Sequence, residues 1–191
     1  ESTDSVIISV IASVGNLTIS EIQGQTDTSP YVDQVVSTSG YVTGRAQNGF
    51  FIQDAYGPWN GIWILDLGWT GQLDVGDEVE LTGVVEEYYN FTEIYITGEG
   101  AEFNVLSTNN AVYNSIAIDS VEEAYESVLV EVSGICDGLP NEYGEWTLSG
   151  IIIDDLMYAF TPIVGQEYTI TGSLYYAYNT YRVEPRDVND I

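Results

Sequence analysis

A gapless internal repeat constrains this chain more than any other feature. Residues 61–94 read GIWILDLGWTGQLDVGDEVELTGVVEEYYNFTEI, and residues 150–183 read GIIIDDLMYAFTPIVGQEYTITGSLYYAYNTYRV. One offset of 89 residues, the step from Gly61 to Gly150, brings them into alignment. It matches Ile62 with Ile151, Ile64 with Ile153, Asp66 with Asp155 and Val75-Gly76 with Val164-Gly165. It also matches Thr82-Gly83 with Thr171-Gly172 and Tyr89-Asn90 with Tyr178-Asn179. Upstream, Ser39-Gly40 answers Ser133-Gly134, and the loop that follows is five residues shorter in the second copy. Self-similarity over this length means two related folding units.

Within each copy the hydrophobic period is two. Val79, Leu81, Gly83 and Val85 alternate with Glu78, Glu80, Thr82 and Val84; Tyr168, Ile170, Gly172 and Leu174 alternate with Glu167, Thr169 and Thr171. Val128, Val130 and Val132 alternate in the same way ahead of Gly134, and Val36, Thr38 and Val42 do so more weakly. That period belongs to strands with one face on a core. The glycine shared by the two long strands predicts a bulge or a tight bend where a sheet curls to close. Each unit offers about five short strands between Gly, Asp and Asn turns, the count of a Greek-key barrel. A short helix is expected over residues 120–126, where Ser120 and Glu123 have the spacing of a capping box, plugging the second barrel.

Several segments resemble the OB-fold modules of secreted bacterial proteins, which often accompany extracellular nucleases of the endonuclease/exonuclease/phosphatase superfamily. They are ISEIQG at 19–24, SPYVDQVVSTSGYVT at 29–43, GFFIQD at 49–54, VGDEVELTGVVEEYYNFTEI at 75–94 and EPRDVNDI at 184–191. The resemblance spans roughly residues 17–191 and implies a fold and a secreted setting; it does not fix an activity. The expected architecture is all-β, with two tandem OB-like five-stranded Greek-key barrels preceded by an N-terminal β-strand. The divisions fall at 1–16, 17–108 and 109–191.

Ahead of the first barrel, residues 6–14 form a β-branched run whose one face is Val6, Ile8, Val10, Ala12 and Val14. At ~3.4 Å per residue such a strand reaches about 30 Å. Left unpaired it would invite aggregation. Two fates follow: folding back on the chain's own sheets, or donation to the sheet edge of a neighbouring copy in a head-to-tail fibre. The chain begins with Glu1 and not Met, as a processed start would.

Charge and missing side chains narrow the chemistry. Thirty Asp and Glu face three basic residues, Arg45, Arg182 and Arg186, for a net charge of −27, with no Lys and no His. Nucleic-acid binding draws on many cations releasing counterions, so it is disfavoured. Without imidazole or amine there is no Ser-His-Asp triad, Cys-His pair, zinc histidine cluster or Schiff-base lysine. The chain is expected not to be an enzyme and to need no cofactor. Calcium is the metal an oxygen-rich surface admits. Its candidate ligands are Asp54, Asp66, Asp74 and Asp77 in the first unit, Asp154 and Asp155 in the second, and Asp187, Asn189 and Asp190 at the end. The lone Cys136 reads as a buried, inert thiol. No run reaches the ~20 apolar residues of a membrane span.

Trp59, Trp63, Tyr88, Tyr89, Tyr176 and Tyr178 are the candidates for an aromatic binding surface, since barrels of this kind stack bases or sugars on exposed rings. The alternative for these rings is core or subunit contact. Carbohydrate needs no cationic track and suits this chain better than nucleic acid. The function expected is a non-catalytic extracellular or cell-surface structural and interaction protein, self-associating into a fibre through its N-terminal strand. The competing expectation is an accessory module of a secreted enzyme that binds nucleic acid or polysaccharide.

Overall fold

In the stretch Val79–Val85 every second residue is buried, and a barrel closes around that periodicity. The computed structural model describes residues 13–68, 71–96 and 101–191. The first unit contains β1 (Val35–Arg45), β2 (Gly49–Gln53), β3 (Gly61–Leu65), β4 (Glu78–Glu87) and β5 (Thr92–Tyr95). Their order is β1-β2-β3-β5-β4, and β4 returns to pair with β1, so no edge remains within these five. Only β3 and β5 run parallel. A further strand, β6 (Glu102–Ser107), adds to the first half of β4 and ends the sheet.

The inward faces supply Val36, Val42, Phe50, Ile52, Ile62, Ile64, Leu81 and Ile94 to one core. Helix α1 (Ile19–Gln23) joins it through Ile19 and Ile22. This helix starts at a capping box: the Thr18 hydroxyl accepts from the Glu21 N–H, and the Glu21 carboxylate accepts from the Thr18 N–H at 2.9 Å. Two orphaned amides are thereby satisfied.

The second unit repeats the plan with β7 (Ile116–Ala117), β8 (Leu129–Ile135), β9 (Trp146–Leu148), β10 (Ile151–Ile153), β11 (Glu167–Ala177) and β12 (Thr180–Glu184). The order is β7-β8-β11-β12-β10-β9. The seam between β8 and β9 is drawn together at Cys136 and Leu148. There Ser149 N–H donates to Ile135 O and Asp137 N–H to Thr147 O, both at 2.9 Å. Cys136 is buried, and its thiol donates to Gly138 O. The two copies share one register. Val36 opposes Gly83 in the first, Val130 opposes Gly172 in the second, and Gly40–Val79 corresponds to Gly134–Tyr168.

That register resolves what the shared glycine does. The ladder runs unbroken through Gly83 and Gly172, so neither is a bulge. Each marks the bend at which the long strand passes from one neighbour to the other. A Cβ on Gly83 would lie 2.6 Å from Tyr95 O, and one on Gly172 2.5 Å from Glu184 O. The expected helix over 120–126 is not formed. A single 3-10 turn spans Glu123–Tyr125 with no side-chain cap, and the Ser120 hydroxyl is bonded to the Glu122 carboxylate instead. Strand β8 begins three residues after Glu126, which leaves no length for α-helical propagation.

The two barrels are fused along β2 and β3, which are buried on both faces. Phe50, Ile52, Ile62 and Ile64 point into the first barrel; Phe51 and Trp63 point out and meet Phe91, Leu156, Met157 and Tyr175. The Tyr175 ring sits edge-on to Phe91 at 4.8 Å, Trp63 at 5.8 Å and Phe51 at 6.1 Å. Polar bonds cross the same junction. Leu129 N–H donates to the Gln53 side chain at 2.8 Å, Thr92 N–H to Glu126 at 3.0 Å and Trp59 N–H to Ala124 O at 2.6 Å. At its centre Gly61 faces bare backbone: a Cβ there would lie 2.3 Å from Ser127 O. Gly61→Ala is therefore expected to lower stability by roughly 1–3 kcal/mol, the scale of an overpacked core. Gly138→Ala, with open space around it, is expected to change the urea midpoint little. Equal midpoints for the two variants would contradict this packing.

Candidate functional site

The repeat places two equivalent hairpin turns at one cleft. Tyr88 and Phe91 exchange both backbone hydrogen bonds, so Tyr89-Asn90 is the two-residue loop between β4 and β5. Ala177 pairs with Thr180, making Tyr178-Asn179 the loop between β11 and β12. All four loop residues have positive φ: 53° and 68° in the first, 52° and 61° in the second. Positive φ at both positions is the mark of a type I′ turn, which suits the twist of a hairpin and favours Asn and Gly. Asn fills the second place; a tyrosine fills the first, where the left-handed backbone costs a side chain with a bulky Cβ substituent roughly 1–2 kcal/mol.

Neither ring recovers that cost by burial. Tyr89 is 76% exposed and Tyr178 90% exposed. With Tyr88, Tyr143 and Tyr176 they line a cleft of about 710 Å³ whose walls come from both barrels. Tyr88 and Tyr89 meet edge-to-face at 4.8 Å, and Tyr176 packs on Tyr181 at 4.7 Å. Inside the cleft lie Asp154, Asp155, Arg182 and Glu184. Parallel pairing of β10 with β12, Ile153 opposite Val183, sets the end of one strand beside the other's carboxylate and guanidinium.

Arg182 is nearly fully buried; its two terminal nitrogens are hydrogen-bonded, and Nε has no hydrogen-bond partner. The guanidinium donates to Ala177 O at 3.0 Å and to Glu145 at 2.9 Å, lies 3.4 Å from Asp154, and has the Tyr178 ring over it at 5.6 Å. Glu184 is buried completely. One of its carboxyl oxygens accepts from Leu156 N–H at 3.1 Å; Oε1 has no partner. Burial, reinforced by the Asp154 charge, pushes the Glu184 carboxyl up to about 8. Burial likewise raises Asp154, against the pull of Arg182. At the junction, burial next to Glu86 lifts Glu93 to about 7, and Glu126 is raised well above the ordinary range by burial and by Glu123.

Of the rings singled out in the sequence, Tyr88, Tyr89, Tyr176 and Tyr178 come together here. Trp63 does not: at 1% exposed it belongs to the junction core, because β3 is covered on both faces. Trp59 also lies outside the cleft, half-buried at the junction, where its amide bonds Ala124 O. Arg182 and Glu184 were not expected as site residues. The 89-residue offset linking Tyr89-Asn90 to Tyr178-Asn179 was the sequence signal that pointed to their neighbourhood.

Six of the nine candidate calcium ligands have backbone or ionic partners. Asp54 accepts from Ile19 N–H, Asp66 from Gly68 N–H, Asp77 from Asp74 N–H, Asp154 from Asp155 N–H and Asp187 from Asn189 N–H. Asp190 pairs with Arg186 at 2.7 Å. Among the described residues no group of three or more His, Cys, Asp or Glu is placed to hold a metal ion. Nor, among them, is any helix long and apolar enough to cross a membrane.

Of the N-terminal strand, Val6, Ile8, Val10 and Ala12 lie outside the described residues. Val14 is described and exposed, and its N–H donates to Val35 O at 2.8 Å. Ser37 N–H then donates to Gly15 O and Leu17 N–H to Ser37 O, so residues 14–17 lie parallel to β1.

No family model matches the chain, and no curated protein matches it. Among solved structures it is similar to a murine DNA-binding protein bound to double-stranded DNA, at 10% identity over 78% of this chain and 92% of that one. The TM-score is 0.31, too low to carry an argument about this protein.

The raised carboxyls fix the sign of a pH effect. In the unfolded chain Glu93 and Glu184 ionise near 4.5; folded, they hold their protons to about 7 and 8. Below 4.5 both states are protonated, and stability is fully present. As pH rises the unfolded state ionises first and gains, so stability falls until about pH 8. The urea midpoint is expected to drop between about pH 5 and 8, and the double substitution Glu93→Gln, Glu184→Gln to flatten that drop. A midpoint rising with pH would contradict these assignments.

Proposed function

We propose that the protein is a non-catalytic structural and interaction protein of the extracellular space, which joins copies of itself through its N-terminal strand. The observation that carries this reading is the sheet end left at β6, where Val105 and Leu106 are exposed; residues 14–17 themselves pair along β1 of their own chain, through the bonds of Val14, Gly15 and Leu17. The β-branched run 6–14 leads directly into that edge position. A strand of that composition needs a partner ladder, and sheet-edge addition is a common way for one chain to capture another.

The same sheet supplies an end at which to receive it. Among the described residues the local order is residues 14–17, β1, β4, β6, with β6 last. Val105 and Leu106 of β6 are exposed. Natural edges of this kind are normally blunted by lysine, proline or a bulge. β6 has neither lysine nor proline, and its one irregularity is the register shift at Leu106, between Val105 and Ser107. A donor at one side of a sheet and an acceptor at the other generate a heterologous, head-to-tail contact that propagates.

Absence of His and Lys supports a role without turnover. The resemblance to secreted OB-fold modules and the acidic composition support the extracellular setting. With a net charge of −27, copies repel one another, so assembly is expected to strengthen as salt screens that repulsion.

The test is particle size, by sedimentation velocity and electron microscopy. The intact chain is expected to form particles far larger than its 21.0 kDa. Deleting residues 1–12, or replacing Val105 and Leu106 with lysine, is expected to return it to monomer. Unchanged particles after the deletion would overturn the reading, as would an intact chain that stays monomeric at high salt.

A further inference from the structure

We infer that the cleft between the two tyrosine hairpins is a binding site for a neutral, hydroxyl-rich ligand, a short stretch of glycan. This goes beyond the proposed self-association and does not rest on it, because the cleft is complete within one copy of the chain.

Three features of the cleft carry the inference. The first is the backbone. Both copies of the repeat hold a tyrosine at a left-handed turn position and leave the ring in solvent. The turn requires that backbone but not a tyrosine, and a disfavoured residue kept at such a position without burial is a sign of function. Because the two barrels are locked at their junction, both hairpins face one space.

The second is an unmet hydrogen bond. Glu184 is buried completely, lines the cleft and leaves Oε1 without a partner. Buried polar atoms are nearly always satisfied, and each exception calls for an explanation. A ligand hydroxyl entering the cleft supplies one. Because its carboxyl holds a proton near neutrality, Glu184 meets that hydroxyl as a neutral group able to donate and to accept.

The third is charge. The only guanidinium in the cleft is Arg182, nearly fully buried and held by bonds to Ala177 O and Glu145 with Asp154 beside it, so it presents little positive charge to a phosphate or carboxylate ligand. An anion would also face Asp154 and Asp155. For a cation, Asp154 is paired with Arg182 and Glu184 is held neutral, which leaves Asp155 as the one lining carboxylate not so offset. A pyranose fits what remains: its C–H face lies on a tyrosine ring, and its hydroxyls turn to carboxyl, amide and phenol. Apolar walls with a few convergent polar groups are the general form of a small-ligand site, and about 710 Å³ is an ordinary size for one.

The experiment is titration calorimetry of the intact chain against neutral hexasaccharides (cellohexaose, xylohexaose, mannohexaose and hexa-N-acetylchitohexaose), with hexalysine and a thymidine dodecanucleotide alongside. At least one hexasaccharide is expected to bind. The variant carrying Tyr89→Ala and Tyr178→Ala is expected to weaken that binding by roughly 3- to 10-fold per ring removed. Its melting temperature should not fall, since both rings are exposed. Glu184→Gln, which keeps a neutral group in place, is expected to retain binding. No saccharide binding at millimolar concentration would overturn the inference, as would saccharide binding that the double variant leaves intact. Hexalysine or the oligonucleotide binding in place of sugar, and lost in the double variant, would overturn it too.

Discussion

The contact on which the molecule's organisation depends is the approach of two backbones, Gly61 of the first barrel and Ser127 of the second. Only a residue without a Cβ allows it. Around it the amides of Trp59, Leu129 and Thr92 find partners across the junction, and Gln23 donates from helix α1 to Gly61 O at 2.8 Å. The bonds of Leu129, Thr92 and Gln23 are buried, and the aromatic wedge of Tyr175 among Phe51, Trp63 and Phe91 packs the same junction. In such surroundings a hydrogen bond is strengthened, and an unpaired group is costly. The junction therefore has one relative placement of the barrels, and the cleft inherits its shape from it.

Fusion of this kind also explains why so acidic a chain buries carboxyl groups. Glu93, Glu126 and Glu184 all lie at or beside the junction, and burial holds each protonated above the ordinary range. As neutral acids they can accept amide hydrogen bonds without adding to the self-repulsion. Glu126 accepts from Thr92 N–H at the start of β5 and Glu184 from Leu156 N–H just beyond β10. Arg186 works from the chain's end: paired with Asp190, it donates to Thr43 O in the first barrel.

What the sequence disclosed and what it withheld divide along a physical line. Strand positions, their inward faces and the matched register of the copies follow from a period of two and from the repeat with its five-residue loop difference, which are local or repetitive signals. Misread features were those decided by distant contacts. Ser120 and Glu123 have capping-box spacing, yet β8 begins too soon for a helix, while Thr18 and Glu21 close a genuine box in a five-residue helix. Trp63 resembled a surface ring because β3 alternates within a run that is apolar throughout, GIWIL, which leaves the second buried face unmarked. Arg182 and Glu184 carried no motif at all; parallel pairing of β10 with β12 brings them beside Asp154.

The three arginines complete the electrostatic argument. Arg45 donates to the backbone oxygens of Leu73 and Gly71, Arg182 to Ala177 O and Glu145, and Arg186 to Thr43 O and Asp190. Each cation in the sequence is thus occupied within the chain, and the field outside is that of carboxylates. Such a field repels phosphate backbones and anionic lipid headgroups over a Debye length of about 8 Å at physiological salt. Neutral surfaces pay no such penalty. In the proposed self-association, salt that shortens this length is what lets copies approach, and sheet edges meet through backbone groups that carry no net charge.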